Sequence, residues 1–204
     1  MKNKIHIIFI ILGIALMTVP LFFDLHDRNQ AEKYIERLED GTESERQETK
    51  TKNKKKKKQK GNKEKASEEI PVEAIGIIEI PNLDIRYPIF EGTGETQLSA
   101  GIGHLPESAG LLAKGNCVLA GHNGSRQGKF FTELSSIGIG SEVMITNKDK
   151  VTHTYKVEEI GIVGPYDESV RKESKEECLT LFTCANHGTQ RFYCRCKYIN
   201  EDDD

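Results

Sequence analysis

Short runs of apolar residues recur between residues 74 and 199, and this pattern predicts β-strands. The runs are rich in β-branched and aromatic residues, and glycines and polar clusters separate them. They lie at 74–80, 84–90, 116–122, 141–147, 151–163, 178–184 and 191–199. Seven or eight short strands with little helix favour a closed barrel or a sandwich.

Helical patterns are few and short. Leu98 and Ile102 lie four residues apart, so residues 95–104 are predicted to form one short helix, and 129–137 a helical turn. Residues 29–41 carry four apolar residues at helical spacing: Ala31, Tyr34, Ile35 and Leu38. This last segment is predicted to be a short amphipathic helix that packs either on the domain or on a membrane.

An uninterrupted apolar segment occupies residues 5–23 and contains no Asp, Glu, Lys or Arg. As a helix it would be about 28 Å long, which is enough to cross a bilayer. A cleaved signal peptide is the alternative, but the segment is long and no A-x-A cleavage pattern follows it. We therefore expect a retained single-pass anchor in the cell membrane. Lys2 and Lys4 favour a cytoplasmic N-terminus and an extracytoplasmic domain.

The charged residues define a second segment outside the predicted strands, in addition to the apolar one. Residues 50–65 hold ten lysines and one glutamate, so they are expected to form a solvated, self-repelling spacer. Attraction to anionic polymers or lipid headgroups is the alternative; nucleic-acid binding is not expected, because no aromatic residues interleave the lysines. The 204 residues thus divide into 1–4 (cytoplasmic), 5–23 (anchor), 24–70 (linker), 71–200 (strand-rich domain) and 201–204 (acidic tail).

The linker, taken as a flexible coil, would reach roughly 35–40 Å from the membrane. We expect the lysine run to lie too far from the anchor to reverse its orientation, since the positive-inside rule acts within about 15–20 residues.

The chain has five cysteines: Cys117, Cys178, Cys184, Cys194 and Cys196. An odd number in an extracytoplasmic protein leaves at least one of them unpaired. Most are interpreted as small buried apolar residues. A zinc site is the alternative, but there is no C-x-x-C pair, so no metal and no cofactor are expected. Cys184 differs from the other four because it ends a predicted strand and polar, loop-forming residues follow it.

A nucleophilic thiol needs a proton carrier and donors for the oxyanion that forms when it attacks a carbonyl. Arg191 opens the next strand, so pairing of the two strands would place its guanidinium beside Cys184. His122 is the preferred proton carrier, because it too ends an apolar strand. His187, in the loop after the cysteine, and His104, interpreted as a helix terminus, remain alternatives.

Several ordered motifs resemble the sortases, the cysteine transpeptidases of Gram-positive cell surfaces. TLFTC at 180–184 is similar to the TLxTC signature of that family. The other matching segments are YPIFEGTGETQLSAGIGHLPES at 87–108, VLAGHNG at 118–124, GKFFTELSSIGIGSEVMI at 128–145 and QRFYCRC at 190–196. Together they cover the domain in the family's order, which makes the resemblance specific.

The resemblance implies an all-β fold, the eight-stranded sortase-type β-barrel with one or two short helices, preceded by an N-terminal transmembrane helix. Cys184 would attack an LPxTG-like sorting signal and form a thioacyl intermediate. His122 would act as acid and then base, and Arg191 would stabilise the oxyanion. Thr183 and Ala120 would contact the substrate.

The implied partners are surface proteins with a C-terminal sorting signal and an amine from a peptidoglycan precursor or a pilin. Residues 24–70 lack the Asp-Pro-aromatic lid motif common in pilin-polymerising sortases, which argues against that subclass. Arg195, farther along the strand of Arg191 and on the same face, is the alternative arginine. The alternative functions are a membrane-anchored cysteine peptidase that releases its product to water and a non-enzymatic binding module.

Overall fold

A computed structural model describes residue 29 and residues 31–40, 73–124 and 130–199 of the chain. None of the helices in these ranges is both long enough and apolar enough to cross a bilayer. The predicted anchor, the lysine run and the acidic tail lie outside the described residues.

Eight strands close into a barrel. They are β1 (Ala74–Ile80), β2 (Ile85–Glu91), β3 (Ile102–His104), β4 (Gly115–Gly121), β5 (Glu142–Asn147), β6 (Thr152–Val163), β7 (Glu177–Ala185) and β8 (Gln190–Tyr198). Their order around the barrel is β1-β2-β3-β4-β7-β8-β6-β5. The predicted β-barrel is therefore confirmed, and the sandwich alternative is wrong for these residues.

The helices are short. They are α1 (31–40) and α2 (Glu95–Ala100), with 3-10 turns at Pro81–Leu83, Leu134–Ser136, Glu168–Arg171 and Asn186–Gly188. The predicted helical turn within 129–137 is confirmed by the second of these turns.

One predicted element is wrong in its second half. The helix expected over 95–104 ends at Ala100, and Ile102–His104 forms β3 instead. This segment pairs in parallel with β2 and antiparallel with β4, so both of its edges find hydrogen-bonding partners. Tertiary pairing therefore outweighs the weak helical spacing of two apolar residues.

The barrel interior is filled with aliphatic and aromatic side chains. The largest fully buried ones are Tyr155, Phe90, Phe131, Ile78, Ile80, Ile89, Ile102, Leu119, Leu134, Ile145, Leu179 and Leu181. Each large apolar side chain removed from water stabilises the fold by roughly 1.5–3 kcal/mol. The core thus gives β4, β7 and β8 a rigid setting, and these strands carry the site described below.

The helix α1 packs on the barrel. Ile35 is only 3% exposed, and the ring of Tyr34 meets that of Phe90 edge-on with centroids 5.1 Å apart. An ion pair joins Glu39 to Arg86 of β2 at 2.5 Å. The predicted amphipathic helix is confirmed, and of the two surfaces considered for it, its apolar face covers the barrel.

We expect Ile35→Ala to lower the free energy of unfolding by about 2–5 kcal/mol, because it leaves a cavity between α1 and the barrel. Chemical denaturation of the whole chain measures this change. Glu36→Ala, on the exposed face of the same helix, should change stability by less than about 0.5 kcal/mol. Equal unfolding midpoints for the two variants would show that α1 does not stabilise the domain.

Candidate active site

The end of β7 presents Cys184 on the outer face of the barrel. Leu179, Leu181 and Thr183 of the same strand are buried, and side chains alternate along a strand, so Cys184 points away from the core. Its side chain is partly exposed. Arg191 of β8 lies directly opposite Cys184 in the antiparallel ladder. The thiol and the guanidinium are therefore cross-strand neighbours on one face.

His122 directly follows β4, and the parallel pairing of β4 with β7 sets its position. Gly121 is the partner of Thr183, so the next residue on each strand brings His122 level with Cys184. The His122 side chain is exposed. An imidazole on the strand beside a thiol, at the same level, is the arrangement that a nucleophile and its proton carrier require.

The chain segment at Phe131 approaches closely and holds the backbone of His122. The N–H of Phe131 donates to the His122 carbonyl oxygen at 3.1 Å. A Cβ at Gly121 would lie 2.5 Å from Cδ2 of Phe131, so only glycine permits this approach. The backbone on both sides of the imidazole is thus constrained.

The loop between β7 and β8 holds the guanidinium. Nη1 of Arg191 donates to the carbonyl oxygens of Gly188 and Gln190, each at 2.9 Å. Asn186, His187 and Gly188 all have positive φ, at 47°, 55° and 86°. This left-handed turn is unusual for His187 and lets the hairpin return with its carbonyl groups facing the arginine. The Nη1 contacts keep the guanidinium near the strand ends.

Thr183 and Ala120, the predicted substrate contacts, both lie below the surface. Thr183 is 2% exposed, and its hydroxyl donates to the Gly121 carbonyl oxygen at 2.7 Å. Ala120 is also buried, and its strand partners are Gly103 and Phe182. The Thr183 hydroxyl therefore ties β7 to β4 directly beneath the candidate residues Cys184 and His122.

The alternative proton carriers occupy different settings. His104 is 4% exposed, and its Nδ1 lies 3.1 Å from the Glu91 carboxylate while its Nε2 lies 2.9 Å from the Ala109 carbonyl oxygen. It ends β3 and no helix, so its interpretation as a helix terminus is wrong. His187 is exposed in the β7–β8 loop. Only His122 of the three adjoins Cys184 on a neighbouring strand.

The alternative arginine serves a different part of the barrel. Arg195 lies opposite Thr180, farther along the ladder from Cys184. Its Nη2 donates to the Ser169 carbonyl oxygen at 2.8 Å, and its Nη1 lies 3.7 Å from a carboxylate oxygen of Glu159. Arg195 thus fastens the β6–β7 connection to β8.

Among the described residues, no group of three His, Cys, Asp or Glu side chains is arranged to hold a metal ion.

The five cysteines are free thiols in two environments. Cys117, Cys194 and Cys196 are buried, whereas Cys178 and Cys184 are partly exposed. Burial raises the pKa of Cys117 to about 12. The hydrogen bond with Cys194, together with burial, raises the pKa of Cys196 well above its usual range. Cys117 and Cys196 are therefore poor nucleophiles near neutral pH, and Cys194 is buried away from solvent.

Sequence reasoning did not single out Asn123. Its side-chain amide Nδ2 donates to the carbonyl oxygen of Cys184 at 2.9 Å. The only signal in the sequence is its position directly after His122, and a polar residue in a predicted turn has many ordinary explanations. The contact depends on the β4–β7 pairing, which the sequence does not show.

Comparison with known proteins agrees with this geometry. A family model described as the sortase domain matches residues 78–199. Sortase A of Staphylococcus aureus is 31% identical over 195 residues, which cover 92% of this chain and 91% of that protein. Sortase A of Streptococcus agalactiae is 36% identical over 132 residues, covering 61% of this chain and 52% of that protein. The chain belongs to the sortase family.

Solved structures show the same fold. Sortase A from Corynebacterium diphtheriae is 28% identical with a TM-score of 0.60, covering 65% of this chain and 64% of that one. A Clostridium perfringens sortase D transpeptidase has a TM-score of 0.62 at 24% identity, covering 85% and 98%, and supports the fold alone. Several curated relatives, including those of Streptococcus agalactiae and Bacillus anthracis, match this chain over only about half of their own length.

We expect a small alkylating reagent to modify Cys184 and Cys178 in the folded protein and to spare Cys117, Cys194 and Cys196. A thiol with a pKa of about 12, such as Cys117, has a thiolate fraction of roughly one in ten thousand at pH 8, and burial also blocks the reagent. Peptide mass mapping after a short exposure to iodoacetamide measures the pattern.

The same reagent in denaturant should modify all five thiols and serves as the control. Rapid modification of Cys117 in the folded state would contradict its placement in the barrel core.

Proposed function

We propose that this protein is a membrane-anchored cysteine transpeptidase that cleaves an LPxTG-like sorting signal and transfers the protein to an amine. The register between β7 and β8, which sets Cys184 opposite Arg191, carries the proposal. The parallel β4–β7 ladder supports it, since it brings His122 to the same level. Membership of the sortase family gives this geometry a known chemical context.

In the first half-reaction, Cys184 passes its thiol proton to His122, and Sγ attacks the carbonyl carbon of the Thr in the sorting signal. A C–S bond forms and the carbonyl oxygen becomes an oxyanion. Arg191 is permanently charged and stabilises that oxyanion, because Nη1 is held by the loop while the rest of its planar guanidinium offers further donors. His122 gives a proton to the departing amine, the C–N bond breaks, and a thioacyl enzyme remains.

In the second half-reaction, an amine attacks the thioacyl carbon. His122, now neutral, accepts the proton of the incoming amine, and the C–S bond breaks to restore Cys184. The result is one amide exchanged for another. The amine comes from a peptidoglycan precursor or a pilin lysine, and sorting-signal proteins are the other substrate class.

The alternative functions differ in what happens to the cysteine. A non-enzymatic binding module would leave Cys184 as a core residue, but its side chain is partly exposed on the outer face. A cysteine peptidase would share all three residues and release its product to water. Assaying products with and without an added amine distinguishes a transpeptidase from a peptidase.

We also propose that residues 5–23 anchor the protein in the cell membrane, with the catalytic domain outside. Because α1 packs on the barrel, only the residues before α1 would separate the barrel from the anchor. The barrel would therefore lie closer to the membrane than a free linker of residues 24–70 would allow. Residues 24–30, between the anchor and α1, can span at most about 25 Å. The barrel would then work close to the membrane that also carries its substrates.

We expect Cys184→Ala to abolish thioacyl formation, because no other described thiol adjoins both His122 and Arg191. His122→Ala should lower kcat/KM by about 10²–10⁴-fold, the usual contribution of general acid–base catalysis. Arg191→Ala should lower it by about 10²–10³-fold through loss of oxyanion stabilisation. Cleavage of an LPxTG-type peptide, with mass detection of the acyl enzyme, measures all three.

Arg37→Ala removes an exposed arginine from α1 and is the matched control for the arginine variant. It should retain the rate of the unmodified protein. Equal rates for Arg191→Ala and Arg37→Ala would remove Arg191 from the mechanism. An unmodified protein that forms no acyl enzyme with any sorting-signal peptide would contradict the proposed function itself.

A further inference from the structure

The β4–β7 ladder ends just before the reactive residues. Its backbone pairs run from Gly115 and Glu177 to Gly121 and Thr183, and no further pair between the two strands follows. His122 and Cys184 therefore lie one step beyond the last pair. At that point, neighbouring strands without a further connection are free to separate.

Two side-chain hydrogen bonds connect the strands, one before and one after the level of His122 and Cys184. The first runs from β7 to β4, and the second runs from the segment after β4 to β7. Thr183 of β7 donates its hydroxyl hydrogen to the Gly121 carbonyl oxygen of β4 at 2.7 Å. Asn123, which follows β4, donates through Nδ2 to the Cys184 carbonyl oxygen of β7 at 2.9 Å. The imidazole and the thiol are thus bracketed by a buried contact below and an exposed contact above.

Asn123 is itself well fixed. Its backbone forms an isolated bridge with Phe130. The N–H of Gly124 donates to Thr132 Oγ1 at 3.0 Å. Because the backbone around Asn123 is held from this side, its amide can restrain Cys184 instead of moving with it.

The backbone of Cys184 lies next to a turn, so contacts from the neighbouring strands are required to fix its position. The left-handed turn at Asn186, His187 and Gly188 begins two residues later, where the strand direction reverses. The antiparallel pairing with Arg191 fixes Cys184 from the β8 side. The Asn123 amide is the contact that fixes it from the β4 side at the same level.

We propose that Asn123 is a positioning residue for the reaction. Its side-chain amide donates to the carbonyl oxygen of Cys184 and not to the sulfur. It acts by joining the backbone after His122 to the backbone of Cys184, which keeps the proton carrier within reach of the nucleophile. The inference rests on the proposed function, because it assigns Asn123 to the same His122–Cys184 pair.

The test compares Asn123→Ala and Asn123→Asp with the unmodified full-length protein. Aspartate keeps the size and shape of asparagine but has no N–H to donate when it is ionised. Both variants should lower kcat for acyl transfer from an LPxTG-type peptide by about five- to tenfold, since each loses one hydrogen bond that orients the reacting pair. KM should change by less than about twofold.

A second measurement does not depend on the peptide substrate. The rate of Cys184 alkylation by iodoacetamide, followed against pH, reports how the thiol and the imidazole influence each other's protonation. Asn123→Ala should change the shape of this profile. Asn123→Asp should also displace it to higher pH, because an added negative charge disfavours the thiolate and favours the imidazolium.

Asn82→Ala is the matched control. Asn82 is also an exposed asparagine whose Nδ2 donates at 2.9 Å across distant parts of the chain, to Ser141 Oγ, but it lies outside the site. It should leave kcat and the alkylation profile unchanged. All three variants should unfold within about 2–3 °C of the unmodified protein, so that a lower rate is not a loss of folded protein.

Each result decides one of two questions. An unmodified protein that is inactive on every peptide overturns the proposed function, and the alkylation profiles still test the positioning role. An active protein whose Asn123→Ala variant matches it in both kcat and alkylation profile overturns the positioning role alone. Asn123→Asp activity equal to that of the unmodified protein would show that the side chain acts by shape and not by donation.

Discussion

The hydrogen-bonded register of three neighbouring strands is the constraint on which the site depends. β7 runs parallel to β4 and antiparallel to β8, so one level of the sheet collects His122, Cys184 and Arg191. A shift of either ladder by one residue would turn the side chains of the shifted strand to the opposite face. The buried leucines and isoleucines of the barrel oppose such a shift, because it would expose them to water.

The two faces of this sheet separate the candidate catalytic residues from the packed core. Cys117, Cys194 and Cys196 face the core, where burial or a neighbouring thiol raises the pKa of Cys117 and Cys196. Cys184 faces outward beside a permanent cation. One residue type therefore occupies two environments in the same fold, and the strand position decides which of them applies.

The N-terminal helix changes how the domain relates to the rest of the chain. As a sequence, residues 24–70 suggest a long spacer, but α1 within it packs on Phe90 of β2 through Tyr34, and Ile35 of α1 is buried. A short connection before the helix fits the proposed membrane anchor at residues 5–23. The lysine run follows the docked helix along the chain, so it need not separate the barrel from that proposed anchor.

Strand periodicity determined most of the barrel from the sequence alone, and the position of Cys184, His122 and Arg191 at strand ends marked them as candidates. The sequence favoured His122 but left His104 and His187 open as alternatives, and it did not show β3, which is too short to carry its own pattern. It also gave no sign that Asn123 contacts Cys184. Only the tertiary structure decided these points, because strand pairing joins residues about 60 positions apart, and local spacing carries no information about that pairing.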